Sequence, residues 1–299
     1  MEYHIQQLIN GISAGSIYAL IALGYTMVYG IIKLINFAHG DVFMVGAFIG
    51  LNTVNILDKF LSPLPMFITA ILVSMAISAV LGVLIERLAY RPLRGASRIA
   101  VLITAVGMSF LLEYSMMAIV GPQAQGFPEI LNKKIYHIYG SIQIDSNQMM
   151  VLVSTIILML VLVFIVHRTK TGKAMRAVSH DMEAARLMGI NVDRTISATF
   201  AIGSALAGAA GVIFGMTYSS IDPLMGLVPG LKAFVAAVLG GVGSIPGAMV
   251  GGILLGVIET EISANGLSMW RDGAAFAVLI LILIFRPSGL FGKNTREKV

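Results

Sequence analysis

The chain is patterned as long apolar runs separated by short polar breaks. Runs over residues 8–32, 42–57, 66–85, 99–120, 149–166, 196–218 and 273–285 carry few or no charges. A helix that crosses a bilayer needs about 20 mostly apolar residues, and several of these runs reach that length. An eighth region, 231–258, is equally apolar but interrupted by glycines. No stretch alternates in the manner of a membrane barrel. In lipid, backbone polar groups must find partners within the protein, so the runs read as helices. The predicted fold is all-α: one polytopic transmembrane bundle of about eight spans across the whole chain, with an outer loop at 121–148 and an inner loop at 168–195.

Composition supports this. Hydrophobic residues make up 57% of the chain and charged residues 12%, against about 25% charged in soluble domains. A soluble fold of this size would lack the polar side chains to cover its surface. The net charge of +5 raises nucleic acid as a partner. That reading fails because the cations lie in short loops between spans, where the partner is membrane lipid. Lys and Arg accumulate in cytoplasmic loops. Arg87, Arg91, Arg94 and Arg98 follow the third run. Arg168, Lys170, Lys173, Arg176, Arg186 and Arg194 lie between the fifth and sixth, and Arg286, Lys293, Arg296 and Lys298 close the chain. All three segments are expected inside. The 121–148 loop, where Lys133 and Lys134 are offset by Glu129 and Asp145, is expected outside. Counting crossings puts the N-terminus outside and the C-terminus inside. The first residues lack the basic region of a cleavable leader, so the first run is expected to be retained. There is no cysteine, which excludes disulfides and thiolate metal sites.

One parity conflict is informative. If 231–258 crossed once, the basic C-terminus would emerge outside. The conflict vanishes if this segment enters and returns. Its middle contains Gly240, Gly241, Gly243, Ser244, Pro246 and Gly247, residues that break helices. Broken backbone at membrane depth survives only when packed in protein or facing a water-filled cavity. A re-entrant or discontinuous element is predicted, the alternative being one kinked helix. Asn36, Phe37, Ala38, His39, Gly40 and Asp41 form a similar break before the second run, so an inverted repeat with broken helices is expected. Asn36, His39, Gly40 and Asp41, with the six residues named in 240–247, are the candidates for a translocation path. His39 beside Asp41 either lines that path or caps the turn. Gly11/Gly15, Gly211/Gly215, Gly247/Gly251 and Gly252/Gly256 are each four apart, a spacing that lets helices approach closely inside one bundle or at a subunit interface. Glu113 falls mid-span. Asp41, Glu86, Glu259, Glu261 and Arg286 sit near span ends, where headgroup contact explains most of them.

The inner loop is not a disordered linker. Met175, Val178, Met182 and Ala185 recur every three or four residues and give one short amphipathic helix an apolar stripe. Asp181 and Glu183 favour a helix start, and Gly189 suits its stop. Such a helix lies on anionic lipid or in a partner's groove.

The segment Glu183-Ala184-Ala185-Arg186-Leu187-Met188-Gly189-Ile190 resembles the EAA-type loop of permeases in bacterial ATP-binding-cassette (ABC) importers. Residues 18–30 and 35–41, the block Glu86-Arg87-Leu88-Ala89-Tyr90-Arg91-Pro92-Leu93-Arg94, and residues 236–252 resemble the branched-chain amino acid permeases, LivH type. The resemblance runs from about residue 8 to Arg286-Pro287-Ser288-Gly289. It implies import of leucine, isoleucine and valine across the bacterial or archaeal cytoplasmic membrane. It also implies three kinds of partner: a paralogous permease subunit, two ABC ATPase subunits and an extracytoplasmic solute-binding protein. In that family the loop docks on the ATPase, which assigns coupling to Asp181, Glu183, Ala184, Ala185, Met188 and Gly189. The chain has no G-x-x-x-x-G-K-[ST] phosphate loop. No cofactor is therefore expected on it, and ATP and Mg would be held by the partner ATPases. The five histidines show no i, i+4 pairing and there is no G-x-S-x-G elbow, so neither a metal site nor an enzyme is expected. The rival readings are a related importer for urea, short amides or sugars, and an ion-coupled carrier working alone.

Overall fold

The computed structural model describes residues 2–33, 36–130 and 133–292. It contains eight helices long and apolar enough to cross a membrane. Helix α1 spans Glu2–Ile32, α2 His39–Leu57 and α3 Pro63–Ile85. Then α3 widens into a π turn, Glu86–Tyr90, and tightens into a 3₁₀ turn, Arg91–Leu93. Helix α4 (Arg98–Val120) leads to the outer loop, and α5 (Ser146–Arg168) to two short helices, α6 (Lys170–His180) and α7 (Met182–Leu187). The long α8 (Val192–Tyr218) is followed by α9 (Leu227–Gly240), α10 (Ile245–Ala264) and α11 (Arg271–Phe285). This is the all-α bundle that the apolar runs imply. Polar residues extend the starts of some spans: α1 starts at Glu2, and α8 starts at Val192 after Asn191, whose side chain accepts from the Arg194 amide.

The bundle has two chemically distinct ends. One carries Arg87, Arg91, Arg94 and helices α6 and α7; it is called here the basic end. The opposite end carries short strands that the apolar pattern does not reveal. β1 (Gln125–Gly126) pairs with β4 (Ser220–Ile221), and β2 (Ile135–Tyr139) with β3 (Ile142–Asp145). The β2–β3 hairpin grips the start of α1. Glu2 accepts from the Ser141 amide and hydroxyl, and the Gln6 side chain exchanges hydrogen bonds with the Gln143 backbone.

The core is built on α1, α2, α8, α9 and α10, whose small residues let backbones touch. A Cβ added at Gly15 would sit 2.7 Å from Gly252 O, and one at Gly256 would sit 2.3 Å from Gly15 N. Gly211 is pressed on α2 at Phe43, Gly215 on Phe127, and Gly247 and Gly251 on α9. Every one of the four-apart glycine pairs packs inside the chain, so none is left over for a subunit seam. By contrast, α3, α4, α5 and α11 turn large apolar side chains outward, among them Leu72, Phe110, Phe164 and Ile284. A membrane protein can leave these exposed because lipid is their solvent.

The segment 231–258 is broken at the predicted residues, but these lie at the end of the bundle and not at membrane depth. α9 ends at Gly240 and α10 begins at Ile245, with Gly241 and Gly243 at positive φ between them. This turn lies at the basic end, not at mid-bundle. Gly243 abuts Gly30 near the end of α1, and the amides of Leu290 and Phe291 donate to Leu239 O and Gly240 O. The reason is the shortness of α9. It starts part-way along the bundle, beside the start of α2, and so reaches the basic end in 14 residues.

Candidate functional site

At the basic end α6 is held against the bundle. Thr169 caps it by accepting from the Gly172 amide, Met175 and Val178 are buried, and a Cβ at Gly172 would lie 2.2 Å from Val166 O. The single amphipathic helix expected over this loop is two helices. Asp181 is extended (φ −154°), and its carboxylate accepts from the Glu183 and Ala184 amides, both at 2.9 Å. Capping by an Asp satisfies amides that a continuous helix would use internally. The Met175-to-Ala185 stripe is therefore cut in two. Gly189 closes α7 at φ +81°, where the Ile190 amide reaches Ala185 O at 3.0 Å, a left-handed stop that suits glycine.

The predicted coupling residues divide by face. Ala185 is buried against the bundle, while Asp181, Glu183, Ala184, Met188 and Gly189 are exposed. Glu183, Ala184, Leu187 and Met188 follow the i, i+1, i+4, i+5 spacing of one helical face. On it Leu187 is 88% and Met188 81% exposed. Leu187 lies in the segment that carries the resemblance but was not among the residues assigned to coupling.

Beneath α7 lies a buried carboxylate. Glu86 is fully buried, not at a headgroup. It accepts from Arg91 (3.1 and 3.2 Å), Ser197 (2.7 Å) and Arg94, which also pairs with Asp193 at the start of α8. The π turn at Glu86–Tyr90 swings Tyr90 inward, where its hydroxyl donates to Asn36 Oδ1 at 2.9 Å. Asp193, Arg94, Glu86, Arg91 and Ser197 thus form one polar cluster at the start of α8, and Tyr90, on the same π turn as Glu86, separately bonds Asn36 at the break before α2.

That break is where the bundle is irregular inside. His39 begins α2 against Gly24 and Tyr25, some eight residues short of the end of α1, or about 12 Å at 1.5 Å per residue. Gly40 packs on Gly226 and Gly230 at the start of α9. Of the predicted path residues, Asn36, His39, Gly40 and Asp41 therefore come together. Gly240, Gly241, Gly243, Ser244, Pro246 and Gly247 lie at the far end of α9, with the Ser244 hydroxyl capping α10 at the Gly247 amide. The mid-bundle partner of the first break is 222–230. Its signals were Pro223, Pro229 and the Gly226/Gly230 pair. His39 and Asp41 are not bonded to each other. His39 stacks edge-on against Tyr25 at 4.7 Å, and Asp41 accepts from Ser109 on α4, beside the Glu113 carboxyl.

A second cluster, buried at Lys232 and Glu259 and open to the outside at Asp272, went unseen in the sequence. Lys232 on α9 lies 3.0 Å from Glu259 on α10 and 2.6 Å from Asp272 on α11. Arg271 reaches Glu259 at 2.8 Å, and the Tyr18 hydroxyl donates to it at 3.0 Å. Two cations face two carboxylates across three helices, with α1 alongside.

The sequence profile of the family described as the branched-chain amino acid transport system permease component matches residues 7–284. The chain belongs to this family. Among its relatives, the high-affinity branched-chain amino acid transport system permease protein BraD of Pseudomonas aeruginosa is 43% identical, over 99% of this chain and 98% of its own length. The corresponding LivH proteins of Salmonella typhimurium and Escherichia coli K12 are 43% and 42% identical with the same coverage. Membership in a permease family gives the two ends of the bundle a meaning: a multi-pass membrane protein with an exposed apolar tip at one end and an internal break at its centre.

Proposed function

We propose that this chain is one of the membrane-spanning subunits of an ABC importer for leucine, isoleucine and valine. The assembly would hold a paralogous permease, two ATPase subunits that bind ATP and Mg, and an extracytoplasmic binding protein. The basic end faces the cytoplasm, as the Lys and Arg distribution favours, so the C-terminus is inside and the N-terminus and β2–β3 hairpin are outside. The observation that carries the reading is the face of α7. Leu187 and Met188 stand almost fully exposed on a rigidly capped helix at a polar end of the protein, where no lipid tail would cover them. Apolar anchors of this kind fit a groove on a partner.

In this mechanism ATP closes the ATPase pair and α7 moves with its groove. The Asp193–Arg94–Glu86 contacts carry that motion to α3 and α8, and Tyr90 carries it to Asn36. The break between α1 and α2 is the element that rearranges as the bundle alternates its access. The test uses the importer reconstituted in proteoliposomes with all partners. Leu187→Glu or Glu183→Lys should abolish leucine uptake and the ATPase stimulation by the loaded binding protein, with leucine capture by the binding protein unchanged. Uptake at the unmutated rate in both variants would remove the coupling role from α7.

A further inference from the structure

The seam between α3 and α8 opens into a cleft at the basic end. Arg87 and Arg91 stand on the turns that close α3, and Arg194 in the first turn of α8. With Val83, Ser197 and Ala201 they bound a space of about 540 Å³. Small-molecule sites span about 300–1,000 Å³. Arginine is in surplus here. Two carboxylates are bonded into the cluster: Glu86 is held by Arg91 and Arg94, and Asp193, which also lines the cleft, by Arg94. Arg87 and Arg194 are exposed, and among the described residues neither has an acidic partner. Guanidinium groups on the two walls of one cleft, with their donors unused, suit a phosphate group.

The rest of the cleft indicates what carries that phosphate. Its apolar part is Val83 on α3 with Ala198 and Ala201 on α8. Half-buried Ala205 continues the same face of α8 away from the arginines. Beside it α3 bares Val80, 60% exposed, and Leu84, 47% exposed. Leu88, next to Arg87, is 74% exposed. Large apolar side chains left bare up to the height of the arginines put the cleft at the edge of the hydrocarbon layer, where headgroups lie. The short alanines leave room beside Val83 for an acyl chain. Free phosphate would satisfy the arginines and leave the apolar part unused, whereas an anionic phospholipid matches both. Basic pockets between spans hold anionic headgroups in this way.

We propose that this cleft binds an anionic phospholipid of the adjoining leaflet: Arg87 and Arg194 clasp the phosphate, Arg91 adds charge beside it, and an acyl chain lies on Val83, Ala198 and Ala201. The site requires only that the chain span the membrane. It depends neither on the cargo nor on α7 as the coupling helix. Because Arg91 also donates to Glu86 and Ser197, the bound headgroup adjoins the polar cluster at the start of α8.

The experiment uses the assembled importer in phosphatidylcholine nanodiscs doped with a trace of phosphatidylglycerol that carries a photoactivatable acyl chain. Mass spectrometry locates the cross-links on this chain. Labelling should concentrate on Val83, Ala198 and Ala201. Unlabelled phosphatidylglycerol should compete, while millimolar inorganic phosphate should not. Removing two headgroup-facing charges with Arg87→Gln and Arg194→Gln together should lower the yield at these residues about thirtyfold. The paired Lys variants, which keep the charge, should recover part of it. Equal labelling by a phosphatidylcholine probe would overturn the site, as would displacement by inorganic phosphate or Lys variants no better than Gln. Labelling that appears only after the ATPase subunits are stripped away would also overturn it, giving the cleft to a protein partner. The comparison of the two lipid probes needs no variant, so a misassembled mutant would not leave the question open. Each of these results is independent of the outcome of the α7 experiment.

Discussion

The Lys232 cluster permits a quantitative test of what holds α9 in place. Lys232 is 4% exposed and Glu259 fully buried. Removing one partner of a buried pair costs about 3–5 kcal/mol because it strands the other. Here neither is stranded completely. Lys232→Met leaves Glu259 with Arg271 at 2.8 Å, and Glu259→Gln leaves Lys232 with Asp272 at 2.6 Å. Each single change should therefore fall at or below the lower end, about 2–3 kcal/mol. The double variant removes one charge of each sign and leaves Arg271 and Asp272 as neighbours. It should cost less than the sum by about 1–2 kcal/mol, the coupling expected of residues in one network. The assay is unfolding of the purified chain in mixed micelles by increasing sodium dodecyl sulfate. Far-UV circular dichroism follows the whole bundle, and the fluorescence of Trp270, the sole tryptophan, follows the start of α11. In both single variants the Trp270 transition should move to lower detergent at least as far as the global one, because α11 is anchored there by Arg271 and Asp272. Strictly additive costs, or single variants as stable as the unaltered chain, would refute the network as an energetic unit.

Other perturbations test other joints. Gly256→Leu should separate α1 from α10, since even a Cβ there would lie 2.3–2.5 Å from the Gly15 and Gly11 backbone; overpacking of this kind costs about 1–3 kcal/mol or more, read as lost membrane expression and a lower midpoint in the same titration. Asp181→Ala should lose the two amide bonds that start α7, a cap worth about 1 kcal/mol; faster amide hydrogen exchange confined to 182–189 would show it, and unchanged exchange would contradict the cap. Glu86→Gln should weaken Arg91 and Arg94 together; uptake should fall while assembly persists, and unimpaired uptake would remove Glu86 from the transmission chain.

The spans were legible because lipid imposes a constraint that sequence cannot hide: charge must be rare over each crossing. The glycine seam was legible for a related reason. Gly11, Gly15, Gly252 and Gly256 leave no side chains between two backbones, and close approach is one of the few forces that pull helices together where hydrophobicity no longer discriminates. The inner loop was half legible. Its stripe of Met175, Val178, Met182 and Ala185 is real and faces inward, but one carboxylate at Asp181 divides it. A capping Asp and a mid-helix Asp look alike until the amides they bond are seen.

Charge inside the bundle was the least legible feature, and its physics explains why. Glu86 and Glu259 both sit near the ends of apolar runs, where a headgroup would serve them equally well. What distinguishes them is the cations that reach them: Arg91 and Arg94 after a π turn, Lys232 from another helix, and Arg271 from the helix beyond. Lys232 lies in a run otherwise made of Leu, Ala, Phe and Val, and its partners are named only by the packing of α9 against α10 and α11. The same packing decides between the two glycine-rich breaks. Gly240–Gly247 has the stronger sequence signal, yet it makes a turn at the basic end, because its glycines pack on one another and on Gly292. Asp41 adjoins the weaker signal, and there Gly40 meets Gly226 and Gly230 while the carboxylate looks toward Ser109 and Glu113. Helix breakers mark where backbone can be irregular. Which break becomes a turn at the end of the bundle and which lies inside it appears only once the helices are assembled.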